Sequence, residues 1–252
     1  MIKRTVIKLS GEAIGDRKAV SGYDDPVIDS IVSQIANIAN AGTEISLVIG
    51  GGNIWRGLHA RADMCRVKAD SMGMLATVIN AIYLAEAFKR QDANAIVMTP
   101  VPFANMTRLY ERDLSLELMA NKTILIHAAG LGHPYFSTDT ITALRAAELK
   151  ADIVLYAKNV DGVYDQDPRK NPTARKYKNL SYTTAIQNGL NAADIAAMHL
   201  SKESGIPSYI FGLNTPESIS LACGYPNTAQ LNGTYMQENI KEDYYVNSHP
   251  TL

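Results

Sequence analysis

Short β-branched runs alternate with longer helical stretches along the chain, and this alternation restricts the fold more than any other feature. Residues 5–9 (TVIKL), 44–49 (EISLVI), 95–99 (AIVMT), 123–128 (TILIHA), 152–157 (DIVLYA) and 207–212 read as strands. Asp25-Pro26 opens a helix, with Asp25 as N-cap and Pro26 in the first turn. Its apolar positions Ile28, Ile31, Val32, Ile35 and Ile38 keep helical spacing. Further helices are expected over 71–90, with Leu75, Val78, Ile79 and Ile82 on one face, and near 108–120. Others run from Ser137 or Thr138 to about Lys150, near 181–188 and 192–204, and from Thr215-Pro216-Glu217. Strands separated by helices predict an α/β fold with a mostly parallel sheet covered on both faces. The tail 238–252 is polar and is expected to fray.

Composition removes whole classes of function. Twenty-four Lys and Arg against 25 Asp and Glu leave a net charge of -1, so no global positive field attracts nucleic acid. With 46% hydrophobic and 19% charged residues among 252, the chain is too apolar for disorder. Cys65 and Cys223 cannot build a disulfide framework and fit a reducing compartment. The N-terminal MIKRTVIKLSGEA lacks a signal-peptide apolar region, and no apolar run approaches the roughly 18 residues of a membrane span. A soluble, cytoplasmic protein with no nucleic-acid or membrane partner is expected.

The familiar nucleotide and catalytic motifs are missing. Gly52–Gly57 (GNIWRG) is followed by Leu58-His59, not by the Lys and Ser or Thr of a P-loop. There is no GxGxxG after a strand and no GxSxG elbow, and the histidines and cysteines show no metal-ligand spacing. No metal site is expected. What stands instead is a set of loops at strand ends, where open α/β sheets bind ligands. Lys8-Leu9-Ser10-Gly11 suits close approach to a phosphate, or is a plain turn beside a strand. Gly50-Gly51-Gly52 can turn successive N–H groups inward as an anion nest, with Arg56 as a charged fork. Gly130–Asp139 feeds a helix N-terminus, which favours anions, although capping accounts for part of it. Asp161–Pro168 reads alone as a turn-rich loop with solvated acids, and Asp70 as an N-cap.

Several phosphate loops without any Ser–His–Asp or Cys–His set suit one reaction. A phosphate monoester is already a nucleophile near neutral pH, because its second pKa is roughly 6. Its phosphorylation needs positioning and charge neutralisation rather than a general base.

The stretches VIKLSGEA, LVIGGGNIWRG, ADSMGMLATVINA, AAGLGHPYFSTDT, ALRAAEL, KNVDGVYDQDP and NGTY carry a resemblance, in order, from Lys3 to Met236. The chain resembles the bacterial-type uridylate (UMP) kinases of the amino acid kinase superfamily. The resemblance implies a single three-layer αβα sandwich with a mainly parallel central sheet. Residues 1–150 would bind the acceptor, 151–237 would bind ATP, and 238–252 would form a tail. It implies ATP as donor, Mg²⁺ carried mainly by the nucleotide phosphates, UMP as acceptor, and UDP as product in pyrimidine nucleotide biosynthesis. Lys8, Leu9, Ser10, Gly11, Gly52 and Arg56 would approach the ATP phosphates, and Lys158, Tyr164 and Asp167 the ATP nucleoside. Gly51, Asp70, Leu131, Gly132, His133, Pro134, Tyr135, Phe136, Ser137 and Thr138 would hold UMP. Lys8 would stabilise the transferring phosphoryl group, with Asp139 and Asp194 positioning Lys8 or the metal shell. A homohexamer with GTP and UTP as effectors is also implied. Leu131, His133, Tyr135 and Ser137 depart from the usual GTGNPFFTTD loop, which bears first on those effectors. A superfamily kinase of a carboxylate or carbamate, a pyrimidine-nucleotide sensor without turnover, and a structural α/β protein with incidental glycines remain alternatives.

Overall fold

The computed structural model describes residues 2–16, 18–57, 60–213, 215–224 and 232–245. Its strands are β1 Arg4–Leu9, β2 Glu44–Ile49, β3 Ala95–Thr99, β4 Arg108–Leu109 and β5 Ile124–His127, then β6 Ile153–Lys158, β7 Tyr177–Leu180, β8 Ser208–Gly212, β9 Thr234–Met236 and β10 Asp243–Tyr244. The α-helices are α1 Asp25–Asn40, α2 Arg66–Arg90, α3 Arg112–Ala120, α4 Thr138–Leu149, α5 Tyr182–Gln187, α6 Ile195–Ser204 and α7 Ser218–Cys223.

The described strands form one sheet in the order β10-β7-β9-β8-β6-β1-β2-β5-β3-β4. β1 lies inside it, parallel to β2 on one side and β6 on the other. Everything from β8 to β4 is parallel, while β9 runs antiparallel to β8 and β10 antiparallel to β7. Strand side chains alternate between faces, and each face has its own core. Ile7, Leu9, Leu47, Ile49 and Leu155 pack with Ile28 and Ile35 of α1, Leu84 of α2 and Ile219 of α7. Val6, Val48, Val154 and Tyr156 pack with Ile141 and Ala146 of α4, Tyr182 of α5 and Met198 of α6. Each fully buried aliphatic or aromatic side chain is worth about 1.5–3 kcal/mol, so the strands are held from both sides. This is the expected αβα sandwich. The same alternation puts Lys8 and Lys158 on the α4 face, at the carboxyl ends of their strands.

Several local expectations change. Asp24, not Asp25, caps α1, its carboxylate accepting from Val27 N at 3.2 Å. α2 starts at Arg66, so Asp70 lies within the helix and not in front of it. Its buried face carries Ala69, Ala76, Val78, Asn80, Ala81, Leu84 and Phe88, while Leu75 and Ile79 are half exposed. Close approach decides this: a Cβ on Gly51 would lie 2.8 Å from Ala76 Cβ and 3.0 Å from Gly73 O, so only small residues fit under the loop. By length and mean hydropathy (1.4) α2 alone would pass for a membrane span. It packs instead on β2, β3 and β5 and buries Asn80, as a core helix does. The segment 108–120 divides into β4 and α3. The tail is not frayed throughout, because Asp243–Tyr244 pairs with β7; its end, 246–252, lies outside the described residues.

Candidate active site

The first two loops are built as one unit. A Cβ on Gly11 would meet Asn53 Oδ1 at 2.5 Å, Gly50 O at 2.7 Å and Gly52 N at 2.8 Å, so the turn after β1 lies directly on the triple glycine after β2. Behind them is a buried polar network. Asn80 Nδ2 donates to Gly50 O and to Asn53 Oδ1, both at 2.7 Å, and Asn80 Oδ1 accepts from the Tyr23 hydroxyl at 2.9 Å. A buried network with its groups paired fixes one geometry for the loop. Leu9 puts its side chain into the core, so only its backbone faces the loops. Ser10 Oγ is buried with no hydrogen-bond partner among the described residues. Arg56 is held in an ion pair with Glu12.

At the carboxyl ends of β1 and β6 three charges meet. Lys8 Nζ lies 3.0 Å from Asp139 Oδ1, and Lys158 Nζ lies 3.6 Å from Asp139 Oδ2, all three side chains being less than a fifth exposed. Burial pushes the Asp139 carboxyl up, but Lys8 and Lys158 outweigh it and hold the group below its usual range. Burial lowers the Lys158 ammonium, helped by the like charge of Lys8 and opposed by Asp139. The register explains the meeting. Lys8 pairs with Tyr156 across the β1–β6 ladder, and Lys158, two residues on, shares its face. Lys158, expected beside the ATP nucleoside, stands at this charged centre, where its ammonium also donates to Ala192 O.

Asp139 stands in the first turn of α4, whose N-cap Ser137 accepts from Asp139 N at 2.9 Å. The Ser137 hydroxyl in turn donates to Asp194. Asp194 Oδ2 also accepts from Thr140 Oγ1 at 2.8 Å, and its Oδ1 caps α6 through Ala197 N at 2.8 Å. One carboxylate thereby ties two helix N-termini together, both of which carry partial positive charge.

Two cavities flank this centre along the chain. The larger, of about 350 Å³, is lined by Tyr164, Asp165, Asp167, Leu190 and Asn191 among others. The smaller, of about 170 Å³, is lined by Gly51, Trp55, Asp70, His133, Phe136, Ser137 and Thr138 among others. In the smaller, Asp70 accepts from Tyr135 N at 2.9 Å and from Arg66 Nε at 2.8 Å. Thr77 Oγ1 accepts from Ala129 N at 2.7 Å, joining α2 to the loop after β5. Four expected contact residues do not line this cavity. Leu131 packs on the α4–α6 core, and Gly132 turns with φ +76 against Pro100 and Val101. Pro134 lies between them and Tyr135, whose φ is +73 and whose exposed ring stacks under Arg66, 5.3 Å from the guanidinium carbon. Asp167 caps a turn at the larger cavity's rim, accepting from Arg169 N at 3.0 Å.

Three supporting groups escaped the sequence reading. Asn80 stands in an otherwise apolar helical run, and that mismatch was the available signal. Asp161, which by sequence alone reads as a solvated acid, accepts from the Tyr164 hydroxyl and from the buried Lys176 ammonium, both at 2.7 Å. Nothing local marks Lys176 as its partner, 15 residues away.

Comparison with known proteins gives a consistent picture. The amino acid kinase family model matches residues 3–212. A uridylate kinase of Streptococcus thermophilus is 45% identical over 219 residues, which is 86% of this chain and 89% of that protein. The crystal structure of UMP kinase from Bacillus anthracis superposes with a TM-score of 0.90 at 32% identity, covering 97% of this chain and 99% of that one. UMP kinase from Ureaplasma parvum superposes at 0.85 with 34% identity, over 94% and 99% of the two chains.

Proposed function

The chain belongs to the amino acid kinase family, where it is a kinase of UMP, and we propose that Lys8, Lys158 and Asp139 form the centre at which the γ-phosphoryl group of ATP passes to UMP. The observation that carries this is the buried Lys8–Asp139–Lys158 set, whose chain neighbours line both cavities, Ser137 and Thr138 before Asp139 the smaller and Val160 after Lys158 the larger. Two ammonium groups against one carboxylate leave net positive charge where the transferring group spreads negative charge. Asp139 holds Lys8 in place, and Asp194 positions Asp139 by fixing the start of α4. The UMP phosphate is its own nucleophile, so no proton needs to be removed.

ATP takes the larger cavity with Tyr164 and Asp167 at its nucleoside, and its phosphates run over Leu9–Gly11, Gly52 and Arg56 toward Lys8. UMP takes the smaller cavity, with Asp70 accepting from ribose hydroxyls and Ser137 and Thr138 near its phosphate. His133 and Phe136 line that cavity, and Leu131, Gly132, Pro134 and Tyr135 hold the loop that carries them. Arg56 leaves Glu12 to meet phosphate, an exchange of one carboxylate partner for a doubly charged one. Mg²⁺, held by the ATP phosphates rather than by side chains, would supply neutralisation of phosphate charge there. Asp139, already engaged by two lysines, is not its ligand. Residues 1–150 act as the acceptor part and 151–237 as the donor part of one domain.

The reading extends to a cytoplasmic homohexamer with GTP and UTP as effectors, supplying UDP for pyrimidine nucleotide synthesis. The exposed stripe Met72, Leu75 and Ile79 on α2 supports assembly, and the free Cys65 and Cys223 support a reducing compartment.

The test is ADP release from ATP–Mg²⁺ with UMP, CMP, dCMP and AMP compared side by side. Turnover should be confined to UMP, and Lys8→Ala should lose about 10²–10³ in kcat while remaining folded. Near-parental kcat in folded Lys8→Ala would refute the role of the centre, and a preference for another acceptor would refute the reading of the smaller cavity.

A further inference from the structure

The tail has no role in the reading so far, yet its described end is joined to the wall of the larger cavity by two routes. Residues 175–177 run between them. On the cavity side, Tyr177 N donates to Val163 O at 2.9 Å and Asp165 N donates to Arg175 O at 3.0 Å. On the other side, β10 pairs with β7, and Tyr245 N donates to Lys176 O at 3.0 Å.

The side chains repeat this connection. The Tyr244 ring lies 4.3 Å from that of Tyr177 and also takes the Arg175 guanidinium at 4.3 Å. Arg175 in turn binds Asp165, through its backbone N–H at 2.8 Å and Nε at 3.1 Å. The Tyr245 ring stands 5.0 Å from Lys176 Nζ, and Lys176 holds Asp161, which holds the Tyr164 hydroxyl. The Tyr245 hydroxyl donates to Gly233 O at 2.8 Å, which ties the segment to the residues before β9. Tyr164 and Asp165, where both routes end, line the cavity. An exposed Arg gives up rotamer freedom to hold one geometry, and a ring against its guanidinium removes part of that freedom beforehand.

We propose that Asp243–Tyr245 is a positioning strap which, through Arg175 and Lys176, fixes the cavity wall at Asp161–Asp165 and sets the affinity for the donor nucleotide. The proposal rests on reading the larger cavity as the ATP nucleoside site. The strap touches no substrate, so its effect should appear in the KM for ATP and not in the KM for UMP or in kcat.

The experiment compares Tyr244→Ala, Tyr244→Phe, Arg175→Gln and, as a check on the cavity itself, Leu190→Trp, each in the full chain, with thermal melts alongside. Tyr244→Ala and Arg175→Gln should raise the KM for ATP about three- to tenfold, the loss of one cation–π link. Their KM for UMP and kcat should stay within about twofold, and Tyr244→Phe, which keeps the ring, should restore the parental KM. Arg175 is more than half exposed, so its replacement keeps the fold even if Tyr244→Ala does not. An unchanged KM for ATP in Arg175→Gln and Tyr244→Ala, with Leu190→Trp raising it, would overturn the strap and leave the cavity reading standing. Both KM values and kcat shifting together with the melting point would also overturn it, as a purely structural role. An unchanged KM for ATP in Leu190→Trp would overturn the cavity reading and the strap with it.

Discussion

Replacing Asp139 by Asn tests the charged centre where stability and catalysis meet. The substitution keeps shape and one hydrogen bond but leaves two ammonium groups, Lys8 and Lys158, facing each other with less than a fifth of each side chain exposed. Removing one member of a buried ion set costs about 3–5 kcal/mol, and the retained amide contact favours the lower end. At roughly 2–4 °C per kcal/mol for a chain of this size, the melting point of the nucleotide-free enzyme should fall by about 6–12 °C. ATP should then stabilise the variant by more degrees than the parent, because its phosphates supply the missing negative charge. Turnover should still fall about 100-fold, since Lys8 has lost the group that orients it.

The pH dependence has a definite sign. A carboxyl whose folded pKa is held below its unfolded value contributes stability above that unfolded value, near 3.9, and the contribution is lost as pH falls through the folded value. The parent should therefore lose stability below about pH 4, and Asp139→Asn should have a flatter acid limb. Differential scanning fluorimetry with and without ATP, beside a coupled ADP assay, reads all of this. A nucleotide-free melting point within about 2 °C of the parent's would refute the ion set, and unchanged kcat would refute its positioning role.

Two further outcomes follow from packing and burial. Gly11→Ala places a Cβ 2.7 Å from Gly50 O and 2.8 Å from Gly52 N, backbone atoms that cannot swing away, so urea unfolding should show a loss of about 1–3 kcal/mol together with a raised KM for ATP. His127 is pushed down to about 3, first by burial and then by Arg145, so its imidazole resonances should stay those of the neutral ring between about pH 8 and 5. The unfolded chain binds that proton near 6.5 and the folded one does not, so stability should rise with pH between about 3 and 6.5, and His127→Phe should remove that slope.

The central strands were legible because each is a short β-branched run buried on both faces, which leaves little else it could be. The edge was not. β4, β7, β9 and β10 are two to four residues long, too short to show a period, and the pairings of β7, β9 and β10 join segments far apart along the chain. α2 was misread for a related reason. Hydrophobicity points Leu75 and Ile79 at the core, but Gly51 leaves room only for a small side chain, so Ala76 turns inward beneath it. In the site, charged residues at strand ends could be found one by one, and their meeting could not. Lys158 joins Lys8 only through the β1–β6 register, and Asp194 reaches Ser137 and Thr140 only because α6 packs on α4.

The central place of β1 also bears on how the chain reaches its fold during synthesis. β1 is made first and can pair with β2 after some 40 residues, but its other edge waits for β6, where Thr5 meets Ile153. At about 5–20 residues per second, that edge stays open for roughly 8–30 s. Its inward residues Val6, Ile7 and Leu9 make it a sticky template while it waits. Lys8 stands in the middle of that run, a charge of the kind that keeps an open strand from pairing with the wrong chain. The residue proposed to steady the phosphoryl group in the finished enzyme would guard the nascent one against aggregation.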